Sequence, residues 1–294
     1  MADVRRFTVT ADHDGRRLDR VLRGLYRAVS LGMIMAAIRK GSVRVNGKRS
    51  GGDARLAEGD IVTVPWASVE APHHSSIERD AREELTTLFR SDDVWILEKP
   101  AGLLSQPDKN SDDSVITRVW SYLSWTRTDF RPTLVHRLDR GASGAIIAAL
   151  AGPALRTLSE LIREGMIKKT YRAVVSGAPP ESGEIGLPLL KSERGNMVTI
   201  DARGRMSVTR YKTLKRGGER ALVELDLMTG RPHQARVHMS SIGHPIIGDA
   251  KYGGQPAGRL FLHACSLSFP DAPGLPLSLR GSTVTSETPP EFNS

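Results

Sequence analysis

A single cysteine, Cys265, in 294 residues excludes an intrachain disulfide and any cysteine-based zinc cluster, and it fits a reducing compartment. No apolar run approaches the roughly 20 residues needed to cross a membrane. Met1 to Thr10 carry no apolar stretch of the signal-peptide kind. Neither a Walker phosphate loop nor a glycine-rich dinucleotide fingerprint occurs. A protein-kinase catalytic loop does not fit either. Leu138 intervenes between Arg137 and Asp139, Gly144 stands where the metal-binding Asn is needed, and no Asp-Phe-Gly follows. His233 and His238 lack zincin spacing and a third ligand, which favours structural roles for both. These absences lead to the expectation of a cytoplasmic protein, without cofactor, metal or membrane association.

Basic charge is what the chain has instead. Lys and Arg number 42 against 33 Asp and Glu, a net charge of +9, with a pI near 9.9; this is the first mark of a nucleic-acid binder. The length suggests one or two domains. Arg16, Arg20, Arg23 and Arg27 recur at helical spacing, with Leu18, Leu22, Leu25 and Val29 on the opposite side. A second apolar segment, Met33 to Ile38, ends in Arg39-Lys40-Gly41, a helix stop. Ser42 to Lys48 alternates as a strand into an Asn46-Gly47 hairpin turn, and Gly59 to Val64 reads as another strand. This is a small basic unit over residues 1–66. Ala67 to Glu84, with Pro72 and the pair His73-His74, reads as solvated linker, so that residues 67–86 join the unit to a second domain at 87–294.

In the second domain, Val94 to Glu98 predicts a strand, Leu155 to Glu164 a helix stopped by Gly165, and Tyr171 to Val175 a strand. Many strands and few helices point to an α+β fold with a mixed, mostly antiparallel sheet. Two dense polar clusters stand out. The first is His136-Arg137-Leu138-Asp139-Arg140-Gly141, followed by Ser143-Gly144 and an apolar run. A carboxylate between two guanidinium groups is expected to stay ionised, which suits a nucleophile or base and not a general acid. The second is Gly230 to His238, leading to Gly248-Asp249; a helix over 233–240 would put Gln234 and His238 on one face, with Arg231 near its start as a phosphate receptor.

Several ordered blocks together resemble the RluA-type RNA pseudouridine synthases. They are Val135 to Arg140 with Ser143-Gly144, Lys169-Thr170-Tyr171-Arg172-Ala173, and Gly230 to His238 through Gly248-Asp249. Leu97 to Leu103 and Leu262-His263-Ala264 extend the match across nearly all of residues 87–292. The front unit resembles the RNA-binding module of ribosomal small-subunit protein four, in the order Arg17-Leu18-Asp19, Val43 to Gly47, Leu56 and Gly59-Asp60. Ser30-Leu31 replaces that module's usual Ser-Arg, which shifts the expected RNA contacts to Arg39, Lys40, Arg44 and Lys48 alongside Arg16 and Arg20. Ala142 stands for the usual Thr, Ser105-Gln106-Pro107 for Val-His-Pro, and Ala235 for Ile or Leu.

The resemblance implies conversion of uridine to pseudouridine, a rearrangement with neither redox change nor net hydrolysis. Asp139 is then the catalytic carboxylate, either attacking C1′ or taking the C2′ proton, and it is aligned by an ion pair with Arg236. Tyr171 stacks on the uracil, Leu262 confines the detached base, and Arg137 fills the space left by the extruded nucleotide. His136, Arg140 and Arg231 are the further expected RNA contacts. A glycoside hydrolase is the competing reading, disfavoured because no second carboxylate is visible near the motif. An inactive RNA binder is disfavoured by the presence of Asp139, Tyr171 and Arg236 together. Large-subunit ribosomal RNA is the expected partner ahead of transfer RNA, with the enzyme acting as a monomer.

Overall fold

A computed structural model describes residues 5–26, 29–66, 85–125, 130–192 and 197–293. Arg27 and most of the expected linker, including His73-His74, lie outside them. Residues 5–66 form four strands, β1 (Arg5–Thr8), β2 (Arg44–Val45), β3 (Lys48–Arg49) and β4 (Ile61–Val64), with two helices, α1 (Leu18–Leu25) and α2 (Leu31–Lys40). The strands make an antiparallel sheet in the order β1-β4-β2-β3. Leu18, Leu22, Ile34, Ile38, Val62 and Val64 fill a core of their own. α2 starts where the Ser30 hydroxyl accepts the Met33 N–H and ends at Gly41. Only Arg20 and Arg23 of the four spaced arginines lie in α1, because the helix starts after Arg16 and ends at Leu25.

The larger unit comprises β5 (Thr87–Arg90), β6 (Val94–Lys99), α3 (Val115–Tyr122), β7 (Thr133–Leu134), β8 (Ser143–Ala149), α4 (Gly152–Arg163), β9 (Lys168–Ser176), β10 (Ser182–Lys191), β11 (Val198–Ile200), β12 (Arg205–Gly217), β13 (Arg220–Leu227), α5 (Gln234–Ser241), β14 (Leu262–Ser268) and β15 (Thr283–Thr285). Its strands make one sheet in the order β11-β10-β12-β13-β9-β14-β8-β6-β5, with β7 added to β8 and β15 to β14. Among the described residues only the β14–β8 pair is parallel, so the fold is α+β with a mixed, mostly antiparallel sheet.

Strand β8 explains its own unbroken apolar sequence. Ile146 and Ala148 pack toward the cluster that holds Val115 and Val119 of α3 and Ala235 and Met239 of α5. Ala145, Ile147 and Ala149 pack against Ala154, Leu158 and Leu161 of α4. A strand covered on both faces has no polar side to show.

The two units touch at the start of α4. The Asp12 carboxylate accepts the Gly152 N–H at 2.7 Å, and Arg156 donates to the carbonyls of Ala11 and Asp14 at 3.1 Å. A Cβ on residue 152 would lie 2.4 Å from the Asp12 carbonyl oxygen, so this approach requires glycine. The sequence places the start of α4 at Leu155, three residues late. Ala151 offers no side-chain cap, and the carboxylate that caps the free N–H comes from Asp12 in the other unit.

Candidate active site

Two elements converge to make the site. The loop 136–141 leads into β8, whose Ser143 and Gly144 pair with His263 and Ala264 of β14. Gly144 has φ 109°, and a Cβ there would lie 2.3 Å from the Ala264 carbonyl oxygen, so only glycine lets the two strands meet here. The facing element is α5. Gln234 anchors its first turn, donating to the Val208 carbonyl and Thr209 hydroxyl while accepting from Thr229 Oγ1 and the Arg231 N–H. His238, four residues on, bonds the same Thr209 hydroxyl at 2.9 Å. Both residues are buried against β12, which turns Arg236, about 200° around the helix from Gln234, toward the loop.

Arg236 Nη1 donates to Asp139 Oδ2 at 2.8 Å, across 97 residues of sequence. The other side of the guanidinium grips Asp249 bidentately, Nε and Nη2 each at 2.7 Å. Asp249 is 1% exposed, Arg236 12% and Asp139 22%, so the buried carboxylate fixes the cation and the cation fixes the accessible one. Hydrogen bonds and charge from both acids outweigh burial and hold the Arg236 pKa above its ordinary value. Asp249, quoted in the sequence motif without a role, is the second carboxylate of the site. Doubly bonded to Arg236 and sealed from solvent, it is not placed to serve as a general acid.

The sequence credits the ionised state of Asp139 to its neighbours Arg137 and Arg140. In the structure the cation bonded to Asp139 is Arg236, while Arg140 Nε donates to the Gly102 carbonyl at 3.0 Å and Arg137 is exposed. The strap 99–105 holds the loop from behind. Lys99, fully buried, donates to the carbonyls of Pro100 (2.8 Å), Leu103 (2.7 Å) and Arg140 (3.1 Å). Burial draws its pKa down to about 7 while the Asp139 charge opposes the shift. The ammonium form alone supplies three N–H groups for three carbonyls. Ser105, read from the sequence as a departure, accepts the Leu138 N–H at 3.0 Å and donates to the Leu138 carbonyl at 2.7 Å. Neither Lys99 nor Ser105 was recognisable as a site residue, since each works through backbone atoms of a loop distant in sequence.

The loop 136–141, the strap's end and α5 enclose a cleft of about 450 Å³ lined by Arg137, Asp139, Arg140, His233, Arg236 and Lys251 among others. Tyr171 and Leu262 belong to the buried cluster that also holds Leu260 and Ala264 beneath the loop. Burial, with the Asp139 charge adding to it, raises the Tyr171 pKa, which keeps a neutral phenol. Two expected RNA contacts lie elsewhere. His136 Nε2 accepts the Ile147 N–H at 3.2 Å, and burial pushes its pKa down to about 3, marking a structural role in seating β8. Arg231 lines a separate cavity of about 360 Å³ together with Lys191, Arg203 and Arg205. His233, read from the sequence as structural, instead faces Asp139. Among the described residues, no group of three or more His, Cys, Asp or Glu could hold a metal ion. None of the described helices is long and apolar enough to cross a membrane.

Residues 93–241 match the family model for RNA pseudouridylate synthase. The chain belongs to this family. It is therefore an isomerase that makes pseudouridine in RNA. The ribosomal large subunit pseudouridine synthase C of Vibrio cholerae is 33% identical over 277 residues, covering 89% of this chain and 87% of that protein. Its Escherichia coli counterpart is 34% identical over 285 residues, 90% of this chain and 88% of that one. Among solved structures, human RNA pseudouridylate synthase domain containing 4 superposes with a TM-score of 0.58 at 22% identity, covering 71% of this chain and 90% of that one. At that identity the superposition speaks for the fold of the synthase alone.

Proposed function

We propose that this synthase modifies uridine in large-subunit ribosomal RNA, with Asp139 as its catalytic carboxylate. The ribosomal substrate is supported by the names of the relatives, which match along most of their length. The assignment of Asp139 is carried by one observation: it is the accessible member of an acid–base–acid triplet whose central guanidinium is fixed by a sealed acid. A carboxylate so held meets the sugar of an extruded nucleotide as an aligned anion, with no reorganisation at the moment of reaction. Both routes to pseudouridine, attack at C1′ and removal of the C2′ proton, use that anion. Tyr171, a neutral phenol near enough to Asp139 to feel its charge, and Leu262 lie in the buried cluster and not among the residues that line the cleft; in this reading the first stacks on the uracil and the second confines the detached base. Arg137 and Arg140, exposed beside Asp139, contact the RNA in this reading, with Arg137 filling the space left by the extruded nucleotide.

Residues 1–66 serve in this reading as an RNA-binding domain of the ribosomal small-subunit protein four kind, 67–86 as linker and 87–294 as the catalytic domain. Arg20, Arg39, Lys40, Arg44 and Lys48 are exposed and available to phosphates, and Arg16 is half-buried beside them. The enzyme works in the cytoplasm as a monomer. Tritium release from C5-labelled uridine in RNA tests the assignment. The wild type releases label and frees no uracil, whereas Asp139→Asn retains RNA binding with turnover abolished. Normal turnover in Asp139→Asn would refute the role given to Asp139, and free uracil from the wild type would point to a hydrolase.

A further inference from the structure

Asp139 commits one oxygen, Oδ2, to Arg236. The other, Oδ1, faces His233, whose Nε2 stands 3.8 Å away, wider than a hydrogen bond. The ring is held from behind: Nδ1 lies 2.7 Å from the Tyr252 hydroxyl, and that oxygen already accepts the Val198 N–H at 3.0 Å.

Counting protons selects the tautomer. A phenol has one hydrogen to give. If it goes to Nδ1, the ring proton sits on Nε2 and points at Asp139 Oδ1, and every polar atom has a complementary partner. The opposite tautomer sets two donors on the phenol oxygen, leaves the phenol proton without this acceptor and aims a lone pair at a carboxylate. The charges around the ring come from several elements: Asp139 and Asp249 favour its protonation, while Arg236 and Lys251 oppose it. Burial outweighs them and keeps the His233 pKa below its ordinary value. The backbone adds a mark of its own. His233 has φ 54°, a left-handed conformation uncommon outside glycine, at the position that opens α5.

We infer that His233, locked by Tyr252 with its proton on Nε2, is a positioning residue for the free oxygen of Asp139 and closes onto it when the uridine fills the cleft. The inference rests on Asp139 being the catalytic carboxylate. With Arg236 on one oxygen and His233 on the other, the carboxylate has a single orientation toward the sugar. Protonation of His233 removes the Tyr252 donor bond and places a second cation against Asp139, which weakens it as nucleophile or base. The chemical step therefore has an acid limb set by His233, lying below the ordinary histidine value of 6.5.

The test is single-turnover tritium release by the full-length enzyme across pH, on a large-subunit ribosomal RNA transcript, with RNA affinity and melting temperature measured alongside. Tyr252→Phe is expected to slow the step roughly tenfold to hundredfold at unchanged RNA affinity. It should also move the acid limb to higher pH, because losing a donor at Nδ1 makes that nitrogen easier to protonate. His233→Gln, whose amide N–H reaches toward the Nε2 position, is expected to retain more rate than His233→Ala and to lose the limb. Wild-type rates and limbs in Tyr252→Phe and His233→Gln, beside an inactive Asp139→Asn, would overturn the inference alone. So would slower turnover with an unmoved limb and a lower melting temperature, which is the signature of a purely structural pair. Should His233→Gln fail to fold at its left-handed position, Tyr252→Phe decides by itself. An active Asp139→Asn would overturn the assignment beneath it as well.

Discussion

Arg39, Lys40, Arg44 and Lys48 stand exposed on the small domain, whereas Arg236 in the cleft is 12% exposed and held between two carboxylates. Both are basic, and the difference lies in the dielectric around them. In water the interaction of a cation with phosphate is screened within about 8–10 Å at ordinary salt, so surface cations act by number and any one can be lost at modest cost. A buried guanidinium interacts more strongly with its partners, cannot be replaced by solvent and has one permitted geometry. Charge on the small domain is graded and salt-sensitive; charge in the cleft is a matter of placement.

The sharpest way to break this contrast after Asp139→Asn is Asp249→Asn. It leaves Asp139 and the whole RNA-facing surface in place yet frees one side of Arg236. We expect kcat to fall on the order of a hundredfold, with RNA affinity little changed and a lower melting temperature, since a buried charge loses its partner. Steady-state kinetics with a parallel binding titration checks this, and an unchanged kcat would mean that Arg236 needs no second acid. The double variant Arg44→Ala with Lys48→Ala sits at the other extreme. It should weaken RNA binding at low salt and reduce the slope of log K against log salt by about 0.7 to 0.9 for each phosphate contact removed. The chemical rate at saturating RNA should stay as it was. A slope that does not change would show these side chains to be plain surface.

The joint between the regions gives the smallest expected effect. Gly152→Ala introduces a Cβ that meets the Asp12 backbone and should loosen the docking of the small domain at the start of α4. Single-turnover rate on bound RNA is expected to persist, with faster hydrogen exchange confined to residues 11–14 and the first turn of α4. Unaltered exchange there would show that the contact is not needed for docking.

Much of the fold was legible because it is local. The two-sided burial of β8 is written in its apolar run, the stop of α2 in Arg39-Lys40-Gly41, and the hairpin in Asn46-Gly47. The start of α4 was misplaced because its cap, Asp12, lies 140 residues away in sequence. The site was legible to the extent that its residues sit in motifs: Asp139, Arg236 and Tyr171 are placed where the chain resembles a synthase. Asp249, Lys99 and His233 also sit in matched blocks, and Ser105 just beyond one, but their roles were not legible, since nothing in their neighbours reveals a carbonyl or carboxylate supplied by another segment.

The class of chemistry was legible in the sequence through the motif order that resembles the synthases, and the polarity of the surface through composition and helical spacing, because all of these are properties of consecutive residues. The resemblance pairs Arg236 with Asp139; the tertiary structure alone decided why that cation, and not a nearer one, meets the carboxylate. Arg137 and Arg140 are its neighbours along the chain, yet the backbone of the loop turns them outward and the pinning of Gln234 and His238 on β12 brings Arg236 in. Sequence proximity sets which charges are available; packing sets which of them meet, because a buried ion pair forms only where the surrounding elements have already fixed the distance.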